Sequence, residues 1–313
     1  MSTLYITHPA CLNHLTPSGH PERPDRLRAI DRVLENERFQ TLARVTAPEA
    51  SIDDIALCHP RDFIEEIAEA VPKDGMVRID ADTSMSPGSF AAALRAIGGA
   101  LYAVDEVMTG KAPNAFCAMR PPGHHAETVR PRGFCLFNSA AIAARHAQKK
   151  HGAERVAIVD FDVHHGNGTQ DIFWADKTVM YCSTHQMPLF PGTGARGERG
   201  EHGNIVNAPL AAEDGGAKFR AAFENAILPE LKRFAPELII ISAGFDAHYR
   251  DPLASLNLKA EDFSWATERL MDAAAASAGG RIVSVLEGGY DLQGLKESVA
   301  AHVTALMGTS SRP

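Results

Sequence analysis

The stretch 156–170 constrains the fold and the chemistry of this chain more than any other part of the sequence. It opens with an apolar, β-branched run that is typical of a buried strand. Asp160, Asp162 and His164 then occupy every second position, so an extended backbone would direct their side chains to one side. Thr169 is the expected cap of a short helix after the strand. These residues predict a divalent-cation site at the end of a strand, and a hydrogen-bonded polar turn is the alternative.

Composition limits the class of protein. With 313 residues, 33.7 kDa and 45% hydrophobic residues, the chain has enough apolar material for one large α/β domain or two smaller ones. Its formal charge of −8 argues against nucleic acid as a partner. No apolar run reaches membrane-spanning length, so we expect no membrane association. Five scattered cysteines without C-x-x-C spacing predict reduced thiols and a cytoplasmic location. Homo-oligomerisation stays open.

Strand and helix patterns alternate along the chain. We predict strands at 4–7, 115–119, 155–160, 179–183, 238–242 and 282–286. Helices are predicted at 25–37, 60–70, 89–108, 139–150, 216–234, 260–278 and 292–306. Residues 71–87 have the composition of a polar linker. Such alternation favours a parallel sheet with helices on both faces, and the absence of a long linker favours a single domain over residues 1–313.

Polar motifs come directly after five of the predicted strands, at the strand ends where parallel α/β sheets bind their ligands. In chain order they are Arg120-Pro121-Pro122-Gly123-His124-His125, Asp162 with His164, Thr184-His185, Gly244-Phe245-Asp246 and Glu287-Gly288-Gly289-Tyr290. Asp162, His164 and Asp246 would form a three-ligand site that leaves room for water and a substrate oxygen, as catalytic metals require. Asp246 taken alone could equally cap a turn.

The remaining polar residues suit hydrolysis beside such a metal. His124 and His125 are suited to general acid–base catalysis, and Asp160 and Asn167 are the candidates to fix their tautomers. Tyr290, after two glycines, could donate a hydrogen bond to a developing oxyanion, although a buried core tyrosine is the alternative. Together these residues predict metal-assisted hydrolysis, in which a histidine-activated water attacks a polarised carbonyl.

Five ordered motifs of this chain resemble those of the zinc-dependent histone deacetylase family. They are Arg120-Pro121-Pro122-Gly123-His124-His125-Ala126, Gly133-Phe134-Cys135-Leu136-Phe137-Asn138, Asp160-x-Asp162-x-His164-His165-Gly166-Asn167-Gly168-Thr169-Gln170, Gly244-Phe245-Asp246-Ala247-His248 and Glu287-Gly288-Gly289-Tyr290. The resemblance is greatest to the class II branch and its bacterial deacetylase and acetylpolyamine amidohydrolase relatives. Asn167 supports that branch, because class I members carry Asp at this position.

The resemblance implies a single-domain arginase–deacetylase fold with an eight-stranded, mainly parallel sheet. It implies Zn²⁺ bound by Asp162, His164 and Asp246, with Fe²⁺ or Co²⁺ also compatible with the ligand set. It further implies His125 as the main general base and acid, His124 as an electrostatic helper on Asp160, and Tyr290 as the group that stabilises the tetrahedral intermediate. A potassium ion beside the zinc is implied at Asp160, Asp162, the main chain of His164, Ser183 and Thr184.

The same resemblance implies a substrate channel. Phe134 and Phe190, with Gly133 beside them, correspond to the walls around an extended acyl-lysine stem. Asp82 corresponds to a rim carboxylate that holds the substrate backbone, and Arg26 to the arginine of an internal acetate-release channel.

Leu253 bears on the substrate, because polyamine-selective relatives carry a glutamate at this position. An apolar residue there cannot attract a buried ammonium, so the leading hypothesis is a zinc-dependent deacetylase of Nε-acetyl-lysine in proteins or peptides. The second hypothesis is a deacetylase of small acetylated amines such as acetylpolyamines. The third, from another class, is a catalytically weak acetyl-lysine binding module.

Overall fold

The computed structural model describes residues 1–308, and an eight-stranded sheet lies at their centre. All pairings within this sheet are parallel. The strands, in chain order, are β1 (Leu4–Thr7), β2 (Ala43–Thr46), β3 (Val77–Arg78), β4 (Ser84–Met85), β5 (Asn114–Cys117), β6 (Val156–Asp160), β7 (Val179–Gln186), β8 (Ile205–Leu210), β9 (Leu238–Ala243) and β10 (Ile282–Leu286). Strands β3 and β4 form a separate antiparallel hairpin.

The order of strands across the sheet brings the predicted site together. It runs β2-β1-β5-β10-β9-β6-β7-β8, so the five strands that precede the polar motifs lie side by side. All five are buried along their whole length, as expected of a parallel sheet that helices cover on both faces. The carboxyl ends of neighbouring parallel strands meet at one edge, and the motifs therefore meet there too.

Helices cover both faces of the sheet, as predicted. Helices α4 and α5 pack against each other and on the central strands, and α9 packs against α10. The helices are α1 (Asp25–Leu34), α2 (Ile52–Ile55), α3 (Arg61–Glu69), α4 (Ser89–Met108), α5 (Ser139–His151), α6 (Asn167–Phe173), α7 (Gly216–Ala222), α8 (Leu228–Phe234), α9 (Ala260–Ser277) and α10 (Leu292–Leu306). A π-helical turn, Phe223–Ile227, joins α7 to α8, and 3₁₀ turns cover Pro9–Asn13 and Glu37–Phe39.

The small side chains of the alanine-rich helix α4 allow it to pack closely against the sheet. The alanines Ala92, Ala93, Ala96 and Ala100 of α4 are buried against the core. Within residues 1–308, no helix combines the length and the apolar character that a membrane crossing requires. The end of the predicted domain, residues 309–313, lies outside the described residues.

Three local predictions were wrong. The region 71–87 is not a plain linker, because it contains the β3–β4 hairpin. The first long helix ends at Leu34, and a 3₁₀ turn comes after it. Thr169 does not cap a helix, since α6 begins two residues earlier and the Thr169 hydroxyl instead accepts a hydrogen bond from Asn138 Nδ2 at 3.0 Å.

Candidate active site

Asp162, His164 and Asp246 converge on one point beyond the ends of β6 and β9. The Nδ1 atom of His164 lies 3.2 Å from Asp162 Oδ1 and 3.0 Å from Asp246 Oδ2. One ligand atom from each residue lies within 4.8 Å of the others, and all three residues are buried. Strands β6 and β9 are neighbours in the sheet, which explains how His164 meets a residue 82 positions further along the chain.

The turn after β6 is shaped by hydrogen bonds and not by continued extension. The strand ends at Asp160, whose Oδ1 accepts from the backbone N–H of Asp162 at 3.0 Å. Asp162 Oδ1 then accepts from the backbone N–H of His164 at 2.9 Å. The expectation of three side chains aligned by an extended backbone was therefore wrong. Asp162 and His164 face the candidate metal site, whereas Asp160 lies behind it against His124.

The chemistry of this cluster fits a divalent cation. Two imidazoles face the fully buried carboxylates of Asp160, Asp162, Asp246 and Glu287. Buried charges in proteins are paired or bind metals. A neutral imidazole nitrogen and carboxylate oxygens are the ligands that Zn²⁺ takes in catalytic sites. The two carboxylates that touch His164 would balance the charge of a divalent ion.

A second group of potential ligands, Asp105, His146 and His151, lies between α4 and α5. Both imidazole Nε2 atoms lie at hydrogen-bond distance from Asp105 Oδ1, at 2.8 and 2.7 Å, and Lys150 Nζ lies 2.7 Å from Oδ2. The carboxylate is thus already paired with Lys150 and hydrogen-bonded to both imidazoles. These bonds connect α4 to α5, and we assign no ion to this cluster.

His124 is held on a carboxylate at the end of β6. Its Nδ1 lies 3.0 Å from Asp160 Oδ2. Burial opposes a charge on this ring, but the carboxylates of Asp162, Asp160 and Glu287 outweigh burial and raise the pKa of His124 to about 10. A cation bound to Asp162 would neutralise the strongest of these carboxylates and bring that pKa down.

His125 is held differently, since its partner is an amide. Its Nδ1 lies 2.8 Å from Asn167 Oδ1. Burial, together with the neighbouring rings of His124 and His164, lowers the pKa of His125 well below its usual range. The ring is therefore neutral, as a general base must be before it accepts a proton.

Tyr290 and Leu253 are both fixed by Asp251. The Asp251 carboxylate accepts from the backbone N–H of Tyr290 at 2.7 Å and from that of Leu253 at 3.0 Å. Burial and the nearby Asp246 raise the pKa of the Tyr290 hydroxyl well above 10, so it stays protonated and can donate. The tyrosine ring lines a pocket and is not part of the apolar core of the sheet.

Arg26 lies behind Tyr290, with its guanidinium 5.0 Å from the centre of the tyrosine ring. Its side chain is fully buried and donates to the carbonyl of Gly289 at 2.7 Å, to the carbonyl of Glu287, and to Glu22 at 3.2 Å. These bonds fasten the loop that carries Tyr290. The implied role of Arg26 in acetate release stays a prediction.

Of the three ligands, His164 lines a mainly apolar pocket of about 260 Å³. The residues around it include most of the predicted substrate contacts, namely Asp82, His125, Gly133, Phe134, His164, Leu189, Phe190, Leu253 and Tyr290. The rings of Phe134 and Tyr290 meet edge to face, with centres 5.8 Å apart, and those of His125 and Phe190 do so at 5.1 Å. Leu189 was not singled out from the sequence, although it directly precedes Phe190.

The β3–β4 hairpin shapes one wall of this pocket. Asp82 Oδ1 accepts from the backbone N–H of Gly133 at 3.0 Å, and Thr83 Oγ1 accepts from that of Phe134 at 3.1 Å. Gly133 has φ +58°, and a Cβ there would lie 2.6 Å from His125 Cγ. Only glycine therefore allows the wall to approach the histidine so closely.

The predicted potassium ligands also lie together, because Asp160 and Ser183 are paired between β6 and β7. Ser183 Oγ contacts His185 Nδ1 at 2.9 Å. The hydroxyl of Thr184 is buried and has no hydrogen-bond partner in the described part of the chain. Carboxylate and hydroxyl oxygens suit a monovalent cation, and a buried hydroxyl without a partner is compatible with a bound ion nearby.

Two residues that support the site were not assigned from the sequence. Glu287 accepts from the backbone N–H groups of Gly123 at 2.7 Å and His124 at 3.1 Å, and thereby anchors the histidine loop. The Tyr181 hydroxyl donates to Asp160 Oδ2 at 3.0 Å. Glu287 begins one of the polar motifs, so its position signalled a role, whereas Tyr181 resembles any other strand residue.

Comparison with known proteins agrees with this geometry. The family model described as histone deacetylase domain matches residues 20–306. Over 328 residues the chain is 40% identical to histone deacetylase 10, chloroplastic, of Oryza sativa subsp. japonica, covering 98% of this chain and 74% of that protein. It is 37% identical over 312 residues to polyamine deacetylase HDAC10 of Homo sapiens, covering 95% of this chain and 46% of that protein.

A solved structure shares the whole fold. The crystal structure of the HDA15 HD domain superposes with a TM-score of 0.92 at 35% sequence identity, covering 100% of this chain and 90% of that chain. The eight-stranded, mainly parallel α/β architecture predicted from the resemblance is confirmed.

Proposed function

The chain belongs to the histone deacetylase domain family, and from this premise we propose that it is a metal-dependent amidohydrolase that removes acetyl groups from Nε-acetyl-lysine side chains. One observation carries the proposal. His125, His164 and Tyr290 line one apolar pocket, Asp162 and Asp246 lie beside His164, and the ring centre of His124 lies 3.9 Å from that of His125. A neutral, extended acyl-lysine stem fits between apolar walls, and its amide would reach these polar groups.

We assign Asp162, His164 and Asp246 as the residues that hold the metal. A divalent ion such as Zn²⁺ would supply Lewis acidity toward the substrate carbonyl and toward water. A potassium ion at Asp160, Asp162, the main chain of His164, Ser183 and Thr184 is part of the proposal. Its positive charge would offset the negative charge of the carboxylates behind the site.

The chain's own groups perform the proton transfers. His125 would accept a proton from the attacking water at Nε2, because Nδ1 faces Asn167, and would later deliver it to the leaving amine. His124 stays on Asp160 and stabilises negative charge that develops beside it. The Tyr290 hydroxyl would donate to the oxyanion of the tetrahedral intermediate.

Substrate choice rests on Leu253. This residue lines the pocket, and its apolar side chain offers no charge to an ammonium group within the substrate stem. Acetyl-lysine, whose charge is masked by acetylation, suits such a wall. We therefore favour lysine side chains of proteins or peptides over acetylated polyamines.

Small acetylated amines are the second candidate, since the chain is 37% identical to a relative named as a polyamine deacetylase. The rim carboxylate of Asp82 is a group that a free ammonium outside the pocket would contact. Turnover of an acetyl-lysine peptide and of acetylputrescine, compared at equal enzyme concentration, separates the two. A strong preference for acetylputrescine would contradict our choice.

The proposed reaction is tested with a fluorogenic acetyl-lysine peptide and purified protein. We expect hydrolysis that a chelator abolishes and added Zn²⁺ restores. If fully metallated protein hydrolyses neither the peptide nor acetylputrescine yet binds the peptide, the chain is an acetyl-lysine binding module and the proposal is wrong.

A further inference from the structure

We propose that Glu127 is a positioning residue, which keeps Nε2 of His125 free to accept a proton by fixing the orientation of the Asn167 side-chain amide. The inference rests on the proposed amide hydrolysis, because it concerns the general base of that reaction. It assigns a role to a residue outside the motifs that define the site.

The Asn167 amide lies between His125 and Glu127. Its Oδ1 faces His125 Nδ1 at 2.8 Å, and its Nδ2 donates to Glu127 Oε1 at 2.6 Å and to the carbonyl of His125 at 3.3 Å. Both partners of Nδ2 are acceptors and carry no hydrogen to donate. A rotated amide would set its oxygen against a carboxylate, so Glu127 determines which end of the amide faces the histidine.

The orientation of the amide decides the tautomer of the histidine. Because Asn167 Oδ1 can only accept, His125 must carry its hydrogen on Nδ1, and the lone pair then lies on Nε2. An amide rotated by half a turn would present N–H groups to Nδ1 and favour the other tautomer. In that tautomer Nε2 carries the hydrogen and cannot accept a proton from water.

An amide needs this outer partner more than a carboxylate would. A carboxylate at position 167 has two oxygens and no donor, so either orientation accepts from His125. It would also lie at hydrogen-bond distance from the Glu127 carboxylate, and two like charges so close repel. The residues at 127 and 167 are thus chemically complementary, and changing one alters what the other must be.

Glu127 is well held for this task. Its backbone N–H donates to the carbonyl of Arg130 at 3.0 Å, and Arg132 Nη1 lies 3.3 Å from the same Oε1 that binds Asn167. The Arg132 guanidinium also lies 5.1 Å from the centre of the Phe190 ring. Loss of Glu127 would therefore loosen a substrate wall as well, and an experiment must separate effects on kcat from effects on KM.

The first test compares Glu127→Ala with Glu127→Gln in the zinc-loaded protein, using the acetyl-lysine peptide. Glutamine keeps an oxygen that can accept from Asn167, whereas alanine removes it. We expect alanine to lower kcat about tenfold or more, the size typical of lost outer partners. Glutamine should stay within about threefold of wild type in kcat, because the hydrogen bond is retained.

Asp171→Asn is the matched control. Asp171 anchors the same loop by accepting from the backbone N–H and hydroxyl of Thr128, at 2.9 and 2.7 Å. The Asp171 side chain makes no described contact with the Asn167 side chain or with His125. We expect its kcat to match wild type. Equal losses of kcat in this variant and in Glu127→Ala would mean that only loop anchoring matters, and would refute the proposal.

The second test exchanges the amide and the carboxylate between positions 127 and 167. Asn167→Asp alone sets two carboxylates against each other, and adding Glu127→Gln supplies a donor that relieves the repulsion. We expect the double variant to recover at least about tenfold in kcat over Asn167→Asp. Effects that simply multiply would show that the two residues are not coupled and would contradict the inference.

The third test needs no turnover. Ring ¹⁵N spectra of zinc-loaded, histidine-labelled protein report the tautomer of His125, whose signals are identified with His125→Gln. Wild type and Glu127→Gln should carry the hydrogen on Nδ1, and Glu127→Ala should shift toward Nε2. An unchanged tautomer in Glu127→Ala would overturn the proposal. Failure of the proposed reaction would appear separately, as wild-type protein without turnover on any acetylated substrate.

Discussion

Gly288→Ala is the substitution that tests the geometry of the metal ligands most directly. A Cβ at this position would lie 2.5 Å from Asp162 Oδ2 and 2.7 Å from Asp246 Cγ. Ordinary contacts of a Cβ begin at 3.4 Å, so the Asp162 oxygen would have to move by about 0.9 Å. Metal–ligand distances tolerate changes of roughly 0.2 Å. The required shift is several times larger, and we expect the variant to lose most of its metal.

The same crowding has a cost without metal. Overpacking of a buried site typically destabilises a protein by about 1–3 kcal/mol. For a chain of 313 residues this corresponds to a fall in Tm of roughly 2–5 °C. Calorimetry of the metal-free proteins measures this loss of stability separately from any loss of metal. Metal content after dialysis against a competing chelator measures the loss of the ligand geometry.

Gly197→Ala is the control, because a Cβ at that glycine meets nothing within 4 Å. It should retain the metal content and the Tm of wild type. If Gly288→Ala also kept both, the two carboxylates would not close on position 288 as described. The assignment of Asp162 and Asp246 as ligands of one ion would then be wrong.

Four further changes test the assignments. Tyr290→Phe should keep its metal and its fold but lose about 10²–10³-fold in kcat, since removal of an oxyanion donor costs this much. Metal analysis and steady-state kinetics measure the two effects. Turnover at the wild-type rate would refute the assignment of Tyr290 as the oxyanion donor. Asp246→Ala should lose metal in the same analysis, and full metal content would contradict it. Leu253→Glu should raise the ratio of acetylputrescine to acetyl-lysine turnover, and an unchanged ratio would remove this residue from substrate choice. Glu22→Gln leaves the buried guanidinium of Arg120 without its carboxylate, so unfolding in urea should require about 3–5 kcal/mol less.

The Glu22 pair also predicts how stability depends on acid. Burial favours the protonated carboxyl, but Arg120 outweighs burial and lowers the pKa of Glu22 to about 2, from 4.5. A carboxyl whose pKa is lower in the folded state contributes stability above the unfolded value and loses it as the pH falls toward the folded value. The wild-type advantage over Glu22→Gln should therefore shrink between about pH 4.5 and pH 2. If the difference in the free energy of unfolding between wild type and Glu22→Gln, measured in urea, stayed constant over this pH range, the pairing of Glu22 with Arg120 would be contradicted.

The sequence predicted regular elements well where one physical signal dominated. The bounds of α4, α10 and β10 agree with the prediction, because each is a continuous amphipathic or buried run. The start of α10 is also marked by its N-cap Asp291, which accepts from Gly294 N–H at 2.7 Å. Edge strands carried no such signal. Strand β2 alternates between half-buried and exposed residues, and β8 contains Asn207 and Pro209, so neither resembled a buried strand.

The site residues could be chosen from the sequence by type, but not their partners. Partners depend on which strands are neighbours, and β5 and β10 lie side by side although 164 residues separate Gly123 from Glu287. That adjacency lets the Glu287 carboxylate hold the backbone N–H groups of the histidine loop. No local sequence pattern predicts this contact, because Glu287 could have lain beside the end of any other strand.

The same reasoning explains why the two histidines have different chemistry. His124 faces a carboxylate at the end of β6, whereas His125 faces an amide at the first residue of α6. A carboxylate favours a charged ring and an amide permits a neutral one, so two adjacent residues of identical type acquire opposite preferences for a proton. The start of α6 is held against the histidine loop by the bond from Gly168 N–H to the carbonyl of His124 at 3.1 Å. The different roles of His124 and His125 therefore depend on the position of the first turn of α6, which places Asn167 beside His125.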